Sequence, residues 1–465
     1  LLYLEGVHER RKFMSAGRRA ARNKPVIVIK SGRQAEGVRT AASHAGALAE
    51  EDAVYDAAFR RAGMLRVDQI QELFDAAETL TRSRPAAGDR LLIVTNGRGP
   101  GALAADAQIA GGGRLAELSP EIRKRLDEVL PATWSAANPI DITCDAPGER
   151  YAAALEILLA ESDADGILVL YSPTAIASSE DAARAVAETV AAVAPHRIVL
   201  TSWLGGEGAE PARRILRDAA IATYDAPGDA VRAFLHMVSY RRNQRQLMET
   251  PPSLPEEFAP APVAARGVIE RALAAGRAVL SEPESKEVLS AYGIPSVETR
   301  IAGNPEEAVE MAGELGFPVA LKILSPEVTH KTDVGGVALD LETSKAVWEA
   351  ADALGRRLRI LQPDASLEGF VVQPMARRSG TPELILGAAT DRIFGPVLLF
   401  GRGGTAVEVI GDCAVGFPPL NMRLARELLS RTRVSRRLRA RLGGAPADRE
   451  GICLTLVQLS QLVVD

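Results

Sequence analysis

Histidine and cysteine are scarce in this chain of 465 residues, with 5 of the first and 3 of the second. The cysteines, Cys144, Cys413 and Cys453, are scattered without the paired spacing of a metal site. They read as reduced structural thiols, which suits the cytoplasm. No apolar run is long enough to cross a bilayer. A formal net charge of −5 provides no basic excess for nucleic acid or an anionic membrane surface. Low-complexity tracts, a coiled-coil repeat, a starting Met and a signal peptide are all absent. The chain begins inside an apolar run, Leu1-Leu2-Tyr3-Leu4, and stops just after another, Leu462-Val463-Val464, so both ends read as cut and the chain as a fragment.

What is present is the composition of a folded, soluble, multidomain protein: 47% hydrophobic, 25% charged, and long enough for roughly three domains. In the first half, apolar runs of strand length (Val26 to Ile29, Leu91 to Val94, Ile167 to Leu170, Ile198 to Leu200) are each followed by turn residues and an Ala-rich amphipathic stretch. The stretches are Ala53 to Ala62, Ala102 to Ala110, Glu180 to Ala192 and Ala209 to Ala219. Continuous apolar strands separated by helices indicate parallel sheets covered on both faces. A basic stretch from Thr81 to Gly88 either joins two such units or is a surface loop within one. Between Met248 and Pro262 five prolines interrupt the chain, which reads as an interdomain linker. Beyond it the texture is α+β. Helical stretches (Ser285 to Tyr292, Pro305 to Leu315, Ser344 to Leu358) alternate with short strands (Val319 to Ile323, Gly369 to Val372, Val397 to Phe400).

Two histidines sit in small-residue loops. His44 lies in Ser43-His44-Ala45-Gly46-Ala47, and His330 in Thr329-His330-Lys331-Thr332-Asp333-Val334-Gly335-Gly336. A phosphoryl carrier needs this setting, a nucleophilic imidazole with little bulk around it, although ordinary loop histidines also occur there. The run Thr95-Asn96-Gly97-Arg98-Gly99-Pro100-Gly101 feeds a helix opening at Ala102, and such a helix start offers backbone amides to an anion. It has the spacing of neither a dinucleotide fingerprint nor a P-loop, and a tight βα turn fits it too. Lys322 lies near the end of a strand-like run, Pro318 to Ile323, Phe370 to Met375 reads as a strand leading to a hinge, and Glu383 and Asp391 precede Phe400-Gly401-Arg402-Gly403-Gly404. Singly, these also fit a strand-end charge, a connector and a hairpin turn.

In combination and in this order, the Ser-His-Ala-Gly-Ala loop, the Gly-rich helix start and the His-Lys-Thr-Asp-Val-Gly-Gly loop resemble the ADP-forming acyl-CoA synthetases (acetate–CoA ligases), relatives of succinyl-CoA synthetase. The resemblance implies two flavodoxin-like parallel-sheet domains followed by an α+β ATP-grasp domain. The first, 1–82, would be partial and carry the phosphohistidine. The second would cover 89–245 and include Asn138-Pro139-Ile140-Asp141. A Pro-rich linker, 246–263, would lead to the ATP-grasp domain, 264–465, truncated at its C-terminus and starting near Ser281-Glu282-Pro283-Glu284-Ser285-Lys286.

The residue roles implied are as follows. His44 is phosphorylated, Glu5 orients it, and His330 relays phosphate. Asn96, Gly97, Gly99 and Gly101 hold phosphate. Lys322, Gln373, Met375, Glu383, Gly403 and Gly404 bind nucleotide. ATP or ADP, Mg²⁺ and CoA are the implied cofactors, with no metal ligand named, and a homo-oligomer is expected. The resemblance also implies that the CoA-binding domain, the first part of the His44 domain and a late Mg²⁺-binding motif are missing, which would leave the fragment unable to complete the reaction. A second reading is the ligase-like, acetyl-CoA-sensing half of a protein lysine acetyltransferase, with a fused acetyltransferase domain in the parent.

Overall fold

The computed structural model describes residues 1–32, 51–82, 86–194, 196–251, 258–328, 331–375, 382–404, 411–439 and 447–465. The described residues cluster into two compact units, the first made of 1–32 and 54–250 and the second of 251–465 together with 51–53.

The first unit holds two parallel sheets. Strands β1 (Leu2–Leu4), β2 (Ile27–Lys30) and β3 (Leu65–Val67) form the first, in that order. The second contains β4 (Arg90–Thr95), β5 (Arg114–Leu115), β6 (Ile140–Asp141), β7 (Gly166–Tyr171), β8 (Val199–Trp203) and β9 (Ala222–Tyr224). Its order is β5-β4-β7-β8-β9, with β6 also paired to β4. Its continuous apolar runs are explained by burial on both faces. Leu92, Val94, Ile167 and Val169 pack into one core with Trp203 and Tyr151. The alternate residues Leu91, Ile93, Leu168 and Leu170 pack into a second core with Phe234 and Met237. Gly166 starts β7 without a side chain because a Cβ there would lie 2.6 Å from the Phe234 ring.

Both sheets share the helix Pro227–Met248. Its Phe234 belongs to the core of the second sheet and its Tyr240 to that of the first, beside Ile27, Leu65 and Val67. Near its end the Asn243 amide donates to the Met64 carbonyl at 2.6 Å, and the Gln244 amide to that of Gly63 at 2.9 Å. The amphipathic pattern shows this helix poorly, because its last turns are seated by buried amides (Asn243 and Gln246) as well as by Leu247.

The chain around β4 depends on one half-buried side chain. β5 covers only the start of β4 and β6 only its end. Asn138 fills the gap: its Oδ1 accepts from the Ile93 amide at 3.0 Å, and its Nδ2 donates to the carbonyls of Leu91 (2.8 Å) and Ala116 (2.9 Å). Backbone groups withdrawn from water need such partners.

The second unit is antiparallel. β10 (Arg300–Ala302), β11 (Val319–Leu324), β12 (Val337–Leu341) and β13 (Gly369–Pro374) form a sheet in the order β10-β13-β11-β12. The helices Pro305–Leu315 and Ser344–Leu361 cover one face, burying Val319, Leu321, Ile323, Phe370 and Val372 against Ala312, Val347 and Leu358. A second sheet of β14 (Leu384–Asp391), β15 (Gly395–Arg402) and β16 (Cys413–Gly416) packs on the helices Met422–Ser430 and Arg449–Val464. The architecture is the α/β and α+β combination expected. The Pro-rich stretch is shorter than its sequence suggests: Met248 ends one helix, and Pro262 opens another at a first-turn position, where its missing N–H costs nothing.

Replacing Asn138 by Ala removes partners from three backbone groups and is expected to destabilise the first unit by about 2–4 kcal/mol. Urea unfolding followed by tryptophan fluorescence measures this, and an unchanged midpoint would contradict the role given to Asn138.

Candidate functional site

In the first unit, the Gly-rich run lies at the carboxyl end of β4. β5 and β6 lie on one side of β4 and β7 on the other, which makes this a topological switch point, the place where open parallel sheets take ligands. The helix begins at Arg98, not Ala102, with Gly97 as its N-cap. Pro100 is accommodated because a first-turn residue has no intrahelical use for an N–H.

Asn96 is buried, and its side chain closes the switch point. Nδ2 donates to the Ser172 carbonyl at 2.9 Å, and Oδ1 accepts from the Ser172 amide at 2.6 Å. The Gly97 amide donates to Thr95 Oγ1 at 3.0 Å. The first-turn amides of Arg98 and Gly99, which have no carbonyl of their own helix to bind, are therefore the groups best placed to offer N–H to an anion. Gly97 and Gly101 have no room for a side chain: a Cβ would lie 2.4 Å from Ser172 Oγ at the former and 2.8 Å from Thr95 Cγ2 at the latter. Gly99 faces open space. The exposed Arg98 guanidinium is held beside the turn by Asp141, with Nε to Oδ2 at 2.8 Å.

Glu5 follows β1 and is exposed at the carboxyl edge of the first sheet. There the Ser31 amide donates to the Leu4 carbonyl at 2.9 Å, and the Val7 amide to Tyr55 Oη at 3.1 Å. The neighbouring Lys30 is buried, donates to the Ser31 carbonyl and lies 4.7 Å from the Tyr55 ring centre. His44 and His330 lie outside the described residues.

In the second unit, Lys322 and Gln373 come together for a reason written in strand geometry. Residues 319, 321 and 323 of β11 point into the helix-covered core, so Lys322 points to the other face, as does Gln373 on β13. In the antiparallel register Lys322 pairs with Val371 and Ala320 with Gln373, so the two polar residues are diagonal neighbours.

Both converge on Glu282, the first residue of the helix Glu282–Ala291. Glu282 Oε1 accepts from Lys322 Nζ at 2.9 Å and from the Gln373 amide. Lys286 Nζ is 3.6 Å from the same oxygen, and Lys331 Nζ is 3.8 Å from Oε2. Thr299 Oγ1 accepts from Lys286 and from Gln373 Nε2, the latter at 3.3 Å. Burial alone would raise the Glu282 pKa. The hydrogen bonds from Lys322 and Gln373, with the charges of Lys322 and Lys286, outweigh it and hold the carboxyl below its ordinary value. Burial pushes the Lys286 ammonium below the usual lysine value, against the pull of Glu282 and with a further push from Lys322.

The helix start that presents Glu282 is itself pinned. Ser281 and Glu284 form a capping box, with the Ser281 amide donating to Glu284 Oε2 at 2.8 Å. Arg277 forks onto the same carboxylate at 2.6 and 2.7 Å. These bonds, Arg277 first, draw the Glu284 pKa down to about 2.

Glu383, Gly403 and Gly404 meet elsewhere in the unit. The Gly403 amide donates to the Glu383 carbonyl at 2.8 Å, and a Cβ at Gly404, whose φ is +100°, would lie 3.2 Å from Glu383 Oε2. The Met375 amide donates to the Pro318 carbonyl at 2.9 Å. Asp391 accepts from the amides of Ile393 and Phe394 and so shapes the β14–β15 turn. Among the described residues no three His, Cys, Asp or Glu side chains lie together as a metal site would require. Sequence reasoning did not assign roles to Glu282, Lys286, Thr299 or Lys331. The signal available was the Glu282–Lys286 spacing of one helical turn.

Residues 1–80 match the succinyl-CoA ligase like flavodoxin domain, 91–241 the ligase-CoA domain and 271–465 the ATP-grasp domain. An acetate–CoA ligase [ADP-forming] I subunit beta from Pyrococcus furiosus is 35% identical over 204 residues, covering 43% of this chain and 85% of that one. The chain belongs to the family of ADP-forming acetate–CoA ligases. An acetate–CoA ligase [ADP-forming] I from Archaeoglobus fulgidus is 37% identical over 471 residues, which is all of this chain and 65% of that one. A relative from Methanocaldococcus jannaschii is 31% identical over 470 residues, 99% of this chain and 65% of its own. The chain thus spans just under two thirds of the length of these two relatives. The apo form of a dinucleotide forming acetyl-coenzyme A synthetase 1 from Ca. Korarchaeum cryptofilum has a TM-score of 0.48 at 31% identity, covering 53% of this chain and 54% of that one.

Glu284 has a lowered folded pKa, so its contribution to stability is complete above the unfolded value near 4.5 and is lost as pH falls toward about 2. Glu284→Gln should therefore be less stable than wild type at pH 6, with the gap closing between about pH 4.5 and about pH 2. Denaturant unfolding of both proteins across that range measures it. A gap independent of pH would remove the carboxylate from the account.

Proposed function

We propose that this chain carries the phosphoryl-transfer residues of an ADP-forming acyl-CoA ligase, which as a full-length enzyme interconverts acyl-CoA, ADP and phosphate with carboxylate, CoA and ATP. The observation that carries the reading is the convergence of Lys322, Lys286, Lys331 and Gln373 on one half-buried carboxylate, within the segment that matches the ATP-grasp domain. Such a cluster is suited to the phosphate chain of a nucleotide, where fixed cations stabilise charge that ligand and transition state share.

In this reading a phosphate oxygen attacks the thioester carbonyl, CoA leaves as its thiolate, and an acyl phosphate forms. A ring nitrogen of His44 then attacks phosphorus and releases the carboxylate. Glu5 holds the imidazole in the tautomer with that nitrogen free. The phosphoryl group leaves His44 for His330 and passes from there to a β-phosphate oxygen of ADP. The first-turn amides of Arg98 and Gly99, with the guanidinium of Arg98, offer the phosphohistidine an anion site. Mg²⁺ bound with the nucleotide would neutralise part of the phosphate charge, alongside Lys322, Lys286 and Lys331.

Incubation of the full-length ligase with γ-labelled ATP and Mg²⁺ is expected to give an acid-labile, base-stable label that is absent from His44→Asn. Equal labelling of that variant would overturn the assignment. His330→Ala should lose labelling by ATP, and if ATP still labels His44 at the normal rate, phosphate passes directly and His330 is not a relay.

A further inference from the structure

Glu282 has no place in the chemistry just described, yet it is the group on which the nucleotide-facing residues converge. Three ammonium groups and one amide surround a single carboxylate, and they come from a helix start, two strands of one sheet and the segment that follows β11. Both oxygens are engaged, Oε1 by Lys322, Lys286 and Gln373 and Oε2 by Lys331. Counted together, the cluster keeps two positive charges beyond the one that Glu282 neutralises.

Without an anion in their midst, three partly buried ammonium groups would repel one another and turn outward to water. With Glu282 they stay together. The carboxylate itself is held at the first position of a helix whose start is locked by the Ser281–Glu284 capping box and by Arg277. Only its own side-chain torsions are left to move.

We propose that Glu282 is a built-in counter-ion. It keeps Lys322, Lys286 and Lys331 gathered while no nucleotide is bound, and it gives them up to the phosphate chain when one arrives. This rests on the nucleotide reading above and adds to it a competitor carried by the chain itself. Each ammonium has three N–H donors, so phosphate oxygens can take over the bonds that Glu282 releases. A carboxylate left beside the incoming phosphates would repel them, so it swings aside, and every binding event works against the affinity of the lysines for Glu282. Glu282 is therefore a positioning residue that sets how tightly the site holds polyphosphate, and it favours release of product nucleotide.

The test is calorimetric titration of the whole protein with ADP and with inorganic pyrophosphate, and competition with adenosine, for wild type and four variants. Glu282→Gln keeps the shape and an acceptor for Lys322 but loses the charge. Its Kd for ADP and for pyrophosphate should fall by about five- to tenfold, with adenosine unmoved, as expected when one unit of nearby like charge is removed from a partly screened site. Glu282→Asp keeps the charge and should stay near wild type. Lys286→Met should weaken ADP and pyrophosphate by a similar factor and leave adenosine alone.

Unchanged or weaker pyrophosphate binding in Glu282→Gln, in a protein with the wild-type Tm, overturns the counter-ion role. Should that variant fail to fold, unchanged pyrophosphate binding in Lys286→Met overturns it instead. Failure of the underlying nucleotide reading looks different: wild type binds neither ADP nor pyrophosphate, or Lys322→Met binds both as tightly as wild type.

Discussion

A polar group withdrawn from water has to find a partner, and the candidate sites in both units are consequences of that requirement. In the first unit the stretch of buried β4 backbone left unpaired between β5 and β6 is completed by the amide of Asn138, and the ends of β4 and β7 are tied by the amide of Asn96. With those demands met, the first turn of the helix Arg98–Ala110 is left as the place where donors still face outward. In the second unit the charge of Glu282 is met by lysines that would otherwise have scattered.

Sheet geometry decides where each set of groups gathers. Parallel strands bring their carboxyl ends to one edge, so Glu5, the Asn96 turn and Asp141 all lie at strand ends although they are far apart in the chain. The antiparallel sheet of the second unit works through its faces. One face is given to helices and apolar contacts, and Lys322 and Gln373 fall on the other because of their parity along β11 and β13.

Much of this was legible in the residues. The runs Leu91 to Val94 and Ile167 to Leu170 are strands buried on both sides, and Pro305 to Leu315 is a helix with those bounds. The start of the helix at Arg98 was not, because glycines and a proline argue for a turn unless they fall in a first turn, where their defects do not count. The roles of Asn138 and Asn96 were hidden because amide side chains carry no periodicity, and their partners are backbone groups far along the chain. Glu282 was hidden for a related reason. Ser281 to Lys286 reads as a capped helix start, which it is, and nothing local says that lysines about 40 and 50 residues later arrive at its first carboxylate.

The helix Pro227–Met248 has a consequence for how the protein is made. It is the last element of the first unit, and it supplies Tyr240 to the core of the first sheet. Strands β1 to β3 therefore leave the ribosome long before one wall of their core exists. Synthesis proceeds from the N-terminus at a pace slow compared with the folding of a small sheet. Ile27, Leu65 and Val67 must wait, partly uncovered, while the whole second sheet is translated. The nascent chain cannot mature sheet by sheet; it completes both sheets together, when the final helix of the unit emerges.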